Sequence, residues 1–182
     1  MPYETVMFNV LNILQRAGVK RGDVIADLGT GREGRMALAS SNIIGEDGIA
    51  YAVDIVKSIL PALQTKAAIH GIKNMQTVWS DLEIYGATKA ISDNSLDVGF
   101  LVTTLFQSKR HGDMVRESIR MIKPTGKLVV VDWKSDQKSP LGPPIDMRVS
   151  PNQIKEICQE LGLKLIDEFE AGQCHWGLIF EK

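Results

Sequence analysis

A chain of 182 residues with a formal net charge of −1, 44% hydrophobic and 24% charged has the length for one domain with a full core and the composition of an ordinary globular protein. The near-neutral balance argues against a broad electrostatic grip on nucleic acid or an anionic membrane. Two cysteines in unrelated contexts, Cys158 and Cys174, give neither a disulfide framework nor a zinc spacing, so no metal is expected. No apolar run reaches the roughly 20 residues of a membrane span, and no secretory leader is visible. The expected location is a reducing cytoplasm.

Val6, Met7, Val10, Leu11, Leu14 and Ala17 recur at helical spacing and Gly18 stops them, which predicts an amphipathic first helix. Val24 to Leu28 reads as a buried strand, and a helix from about Glu33 to Ile44 follows, closed by Gly45. Ile49 to Ile55 is a second strand. A helix from about Ser58 to His70 has Pro61 in its first turn, where a missing N–H is tolerated. Met75 to Trp79 is a third strand and Leu96 to Thr103 a fourth. A helix over about Lys109 to Met121, a turn at Lys123-Pro124-Thr125-Gly126 and a fifth strand, Lys127 to Val131, come next. Pro140-Leu141-Gly142-Pro143-Pro144 marks a stiff loop. Ser150-Pro151-Asn152-Gln153 has the form of a capping box opening the last helix. Leu163 to Phe169 and Trp176 to Phe180, joined by Glu170-Ala171-Gly172-Gln173, predict a hairpin and hence an antiparallel last strand. Alternating strands and helices imply right-handed crossovers and a mostly parallel sheet with helices on both faces.

Gly29-Thr30-Gly31-Arg32-Glu33-Gly34 follows the first strand directly, and Asp54 closes the second about twenty residues later. Glycines there let a backbone approach a ligand closely, and a carboxylate at the second strand end suits ribose hydroxyls. Nicotinamide dinucleotides and S-adenosylmethionine share that grammar. Asp27, two residues before the first glycine, would face a diphosphate unfavourably but suits a cationic ammonium or sulfonium. Each acid also has a purely structural reading: Asp27 bonding turn amides, Asp54 capping a helix, Asp81 sitting in a turn.

Ala26-Asp27-Leu28-Gly29-Thr30-Gly31, Tyr51-Ala52-Val53-Asp54-Ile55, Trp79-Ser80-Asp81-Leu82, Asp93-Asn94-Ser95-Leu96-Asp97 and Met121-Ile122-Lys123-Pro124-Thr125-Gly126-Lys127-Leu128 come in an order and spacing that resembles the class I S-adenosylmethionine-dependent methyltransferases. Within them the chain is most similar to small members like the ubiquinone and menaquinone C-methyltransferases. The resemblance implies a Rossmann-like, doubly wound α/β fold with a seven-stranded sheet whose last strand alone is antiparallel. It implies that Asp27, Gly29, Thr30 and Gly31 line the methionine end of S-adenosylmethionine. Asp54 would accept from the ribose, Asp81 from the adenine amino group, with Ile55 and Leu82 beside the ring and Thr103 at the next strand end. Thr104, Phe106, Gln107, Arg148 and His175 are the expected acceptor pocket, covered by the loop from Lys134 to Arg148. Glu33 stands where the family prefers glycine, and its charge is expected to weaken the cofactor.

A small or medium-sized acceptor suits that composition better than nucleic acid, and methyl transfer needs no universal base. The acceptor atom and the oligomeric state are not legible here. Two alternatives stay open: a nicotinamide-dependent oxidoreductase, for which no Tyr-Lys pair is seen, and a non-catalytic S-adenosylmethionine-binding protein.

Overall fold

The computed structural model describes residues 8–137 and 139–182. In chain order they form α1 (Val10–Ala17), β1 (Val24–Leu28), α2 (Arg35–Ile44), β2 (Ile49–Asp54), α3 (Leu60–Ile69), β3 (Met75–Trp79), β4 (Leu96–Val102), α4 (His111–Met121), β5 (Ile122–Trp133), α5 (Pro151–Glu160), β6 (Lys164–Gly172) and β7 (His175–Glu181). One seven-stranded sheet runs in the order β3-β2-β1-β4-β5-β7-β6. The first five strands pair in parallel. β7 lies antiparallel between β5 and β6 and is the one reversed strand. The doubly wound α/β sheet with a reversed last strand that the sequence predicts is the observed fold.

Period-two alternation assigns each strand residue to one of two cores. Ala26 and Leu28 of β1, with Leu128 and Val130 of β5, pack on the α4 and α5 side. Ile25, Val129 and Val131 pack on the other side, with Ile13 and Leu14 of α1, Met36 of α2 and Leu63 of α3. The same alternation sends Asp27 toward α2. The chain winds outward in opposite senses from neighbouring β1 and β4, so a crevice opens beyond their carboxyl ends, where ligands of such sheets bind.

Several local expectations shift. Asn9, not an earlier residue, caps α1 by accepting from the Asn12 amide at 3.0 Å; Val6 and Met7 lie outside the described residues. The capping box of α5 does not form. Ser150 makes no side-chain cap bond, and the Gln153 amide lies 3.4 Å from His111 Nδ1 instead. The Lys123-Pro124-Thr125-Gly126 turn falls inside β5 as an irregularity, because pairing jumps from Leu96↔Ile122 to Val98↔Lys127. β6 runs on to Gly172, leaving a two-residue Gln173-Cys174 connection. Cross-strand bonds to β7 hold Glu170 and Gly172 in the ladder although glycine is a poor strand former.

Candidate functional site

The glycine turn after β1 uses left-handed backbone at all three of its glycines, with φ of 82° at Gly29, 63° at Gly31 and 59° at Gly34. The reasons differ. A Cβ on Gly29 would collide with the Thr104 side chain, and one on Gly34 would lie 2.7 Å from Leu63 Cδ2. A Cβ on Gly31 would meet nothing within 4 Å. Gly31 is thus the position whose bare backbone faces open space, where a ligand can press against it. Gly34, one residue late in the sequence pattern, is the residue that lets α2 start close against α3.

Two acids fix this turn. Asp54 Oδ2 accepts from the Gly31 amide at 2.8 Å and Oδ1 from the Val56 amide at 2.8 Å. Asp27 Oδ2 accepts from Thr30 Oγ1 at 2.7 Å and from the Ala37 amide in the first turn of α2 at 3.1 Å. Both acids therefore do structural work at the turn; each Asp54 oxygen keeps a second lone pair for another donor, while on Asp27 Oδ2 takes both of these bonds and Oδ1 takes neither. Burial pushes the Asp27 carboxyl up to about 6, against the lowering effect of the Thr30 and Ala37 bonds, and the nearby Asp54 adds to the rise. No cation pairs with it among the described residues.

The crevice has two lobes that share Gly29, Gly31, Arg32 and Gln107. The larger, about 440 Å³, brings together Asp54, Ile55, Asp81, Leu82 and Thr104. The smaller, about 230 Å³, brings together Asp27, Thr30 and Thr103. Thr103 holds φ of 52°, an unfavourable conformation for a β-branched residue, fixed by its amide donating to Val131 O at 2.7 Å. Asp81 sits in a turn, with Oδ1 accepting from the Glu83 amide at 2.9 Å.

Three expected acceptor residues line neither lobe. Phe106 packs toward the α4 and α5 core. Arg148 is the hub of its own loop: Nε donates to Pro143 O at 3.0 Å, and one terminal nitrogen donates to Lys134 O at 2.6 Å and to Gln137 O. Its donors are turned to loop carbonyls rather than to the crevice. His175 is fully buried beside Trp133, with ring centroids 4.1 Å apart. Glu33 lines the smaller lobe with a partner of its own. Its carboxylate pairs with Lys66 Nζ at 2.9 Å, and that bond and charge hold its pKa below the ordinary value. Lys66 thus offsets, at an exposed position, the charge expected to repel a cofactor.

Sequence reasoning missed Phe8, Arg35 and Met36 on the smaller lobe and Val56, Ile59, Ser108 and Met114 on the larger. It also missed Asp132. This buried carboxyl accepts from the Trp133 amide at 2.8 Å and the Phe106 amide at 3.3 Å, and burial raises it to about 7. The available signal was an acid closing the apolar run Val129-Val130-Val131, as Asp54 closes β2.

The family described as a methyltransferase domain matches residues 26–130, more than half the chain and the segment carrying β1 to β5. The chain belongs to that family. The methyltransferase domain is 28% identical over 130 residues to the ubiquinone/menaquinone biosynthesis C-methyltransferase UbiE of Azotobacter vinelandii, covering 71% of this chain and 49% of the relative. It is likewise 28% identical over 131 residues to UbiE of Erwinia tasmaniensis, covering 71% of this chain and 50% of that protein. The chain thus spans about half the length of these curated relatives. Among solved structures, a SAM-dependent methyltransferase from Aquifex aeolicus superposes with a TM-score of 0.87 at 24% identity, over 100% of this chain and 93% of that one. The [4+2]-cyclase SpnF shares the fold with a TM-score of 0.78 at 13% identity, over 95% of this chain and 79% of its own. A fold that also carries a cyclase places the crevice but leaves the reaction to the residues in it.

Proposed function

We propose that this methyltransferase domain, one unit over residues 1–182, binds S-adenosylmethionine across the two lobes and transfers its methyl group to a small or medium-sized acceptor. The observation that carries the reading is the convergence of Asp27, Gly31, Asp54 and Asp81 on one crevice at the carboxyl ends of the strands. The residues fit that cofactor. Gly31 leaves open space for its approach, and Asp27 is a buried acid without a cationic partner, suited to an ammonium group. Asp54 would accept from the ribose hydroxyls with the lone pairs its turn bonds leave over, and Asp81 would accept from the adenine amino group beside Ile55 and Leu82. Thr103, Thr104 and Gln107 would face the acceptor.

The bound cofactor supplies an activated methyl group on a sulfonium. The chain's own part is to orient donor and acceptor in line and to exclude water. The loop from Lys134 to Arg148, gathered on the Arg148 guanidinium, starts at the same end of the sheet and would cover the acceptor. Among the described residues no helix is long and apolar enough to cross a membrane. The two cysteines are free and buried, in keeping with a cytoplasmic location. A carbon atom as acceptor is the reaction the curated relatives are named for, and it extends the proposal to this chain's substrate.

Calorimetric titration with S-adenosylhomocysteine, NAD and NADP tests the reading. Binding of S-adenosylhomocysteine alone is the expected result. Preferential binding of either nicotinamide dinucleotide would replace it with the oxidoreductase alternative. Binding without turnover of S-adenosylmethionine on any screened acceptor would favour a non-catalytic binding protein.

A further inference from the structure

Buried polar side-chain atoms almost always find a partner, and those that do not call for an explanation. Four such atoms stand unpartnered among the described residues, and three belong to one adjacent pair: Trp133 Nε1, His175 Nδ1 and His175 Nε2. Trp133 and His175 face each other across the β5–β7 ladder at the carboxyl end of β5, the end of the sheet that holds the crevice. They are 4% and 0% exposed, so water does not satisfy them from the surface.

What surrounds the pair limits what can meet it. The Phe8 ring meets the His175 ring edge-on, centroids 5.5 Å apart and planes at 83°. Phe8 also lines the smaller lobe beside Thr103 and Gln107. It is therefore the partition between that lobe and the Trp133–His175 pair. The Arg148 guanidinium lies over the Trp133 ring at 5.6 Å, with Nε and one terminal nitrogen donating to loop carbonyls. Burial, reinforced by the charges of Arg148 and Lys134, lowers His175 to about 4, so its ring is neutral near pH 7, with one donor and one acceptor nitrogen. Trp133 adds a second donor. The two His175 nitrogens point away from each other, so one ligand atom can meet only one of them; Trp133 Nε1–H together with that nitrogen, an acceptor or a donor according to the tautomer, matches the oxygen of a hydroxyl or a carbonyl group. They do not match an ammonium, which would meet the like charges of Arg148 and Lys134, nor a carboxylate, since Arg148 already donates to loop carbonyls and Lys134 already pairs with Glu170.

We propose that Trp133 and His175 form the polar end of an acceptor subsite, entered past Phe8 from the methyl-donor lobe, that takes an uncharged acceptor by one hydroxyl or carbonyl oxygen. The inference rests on the methyltransferase reading above and deepens it, making these two residues specificity determinants. In wild-type protein His175 and Trp133 hold the acceptor oxygen, and the reacting atom lies on the crevice side of Phe8.

The probe is phenol, with toluene and benzoate as the apolar and anionic counterparts. The full chain, ¹⁵N-labelled, is titrated with each, both with and without saturating S-adenosylhomocysteine. The Trp133 indole signal is assigned with Trp133→Phe and the His175 ring signals with His175→Gln. Phenol should move both residues' signals saturably, while toluene and benzoate at the same concentration leave them in place. Each substitution should weaken phenol binding about tenfold, the loss of one buried hydrogen bond, with thermal unfolding and S-adenosylhomocysteine binding checking that the fold persists. Unmoved signals with phenol, or toluene acting as strongly as phenol, overturn the subsite. So does a crystal soaked in phenol that shows a lone water bridging the two rings. Failure of S-adenosylhomocysteine to bind the wild-type chain strikes the methyltransferase reading instead, and the phenol titration without it still decides the subsite.

Discussion

The outer loop anchored on α4 and the ligand end of β1 both bury an acid, and they treat it in opposite ways. Glu117, fully buried, accepts from the Gly86 amide at 2.7 Å and the Thr88 amide at 3.0 Å, and both of its oxygens take Arg120 nitrogens at 2.9 Å. Arg120 also pairs with Asp93. Burial alone would raise the Glu117 carboxyl, but the Arg120 and amide bonds win and bring it to about 2. Asp27 has neutral donors and no cation, and burial wins there, lifting it to about 6. A cation in contact is the difference. The first arrangement is closed on itself and staples the loop that carries Asp81. The second holds a buried acid ready for a positive charge from outside the chain.

The largest effect that would break this contrast comes from the closed network. Glu117→Ala leaves the buried Arg120 and the Gly86 and Thr88 amides short of their acceptor and should lower unfolding stability in urea by about 3 kcal/mol. A loss under about 1 kcal/mol would mean that the network is not the staple described. The pH dependence follows from the sign of the shift. Glu117 is lowered from 4.5 to about 2 in the folded state, so its contribution is whole above pH 4.5 and fades as the pH falls toward 2.

Asp27 should behave in reverse. Its folded pKa is raised from 3.8 to about 6, so the stability tied to its neutral form is whole below 3.8 and lost as the pH rises through 6. At pH 7 the ligand-free Asp27→Asn variant should therefore be more stable than wild type, by something on the order of 2 kcal/mol. It should also bind S-adenosylhomocysteine more weakly, a trade of function against stability. In the wild type, calorimetry in buffers of differing ionisation enthalpy should find proton release on binding near pH 6, with affinity falling below it. Equal stability and affinity in the two proteins would remove Asp27 from the site.

Asp54→Ala sharpens the comparison at the next level. The ribose bonds and the Gly31 tether are lost together, so S-adenosylhomocysteine affinity should drop at least tenfold, from about 1.5 to 3 kcal/mol of hydrogen bonding to a charged acceptor. Unchanged calorimetric affinity would sink the ribose assignment. The smallest effect belongs to Glu33→Gly. Because Lys66 already pairs with Glu33 at an exposed position, affinity should move by less than about fivefold in either direction. A large tightening would restore the view that its charge opposes the cofactor.

The strands and the glycine turn were legible in the chain because their signals are local. Apolar runs bounded by turns give buried parallel strands, and Gly29, Gly31 and Gly34 each occupy a backbone conformation that favours glycine. Asp27, Asp54 and Asp81 could be placed at strand ends from position alone. The capping box of α5 looked local as well, yet Gln153 reached across to His111, since a contact between helices can outweigh a weak cap.

The sequence by itself determined the order of strands and helices, the reversed last strand and the strand ends on which a ligand would sit, because periodicity and turn chemistry act over a few residues; the family was legible through the resemblance of its motifs in their order. Only the tertiary structure decided which of those residues meet. It alone turned Glu33 to Lys66, drew Arg148 into its own loop, buried Asp132 and set His175 against Trp133 and Phe8. Pairing and burial between residues far apart in the chain depend on how β5, β7 and the helices pack. No spacing along the chain encodes the charge or hydrogen-bond partner a side chain will find there.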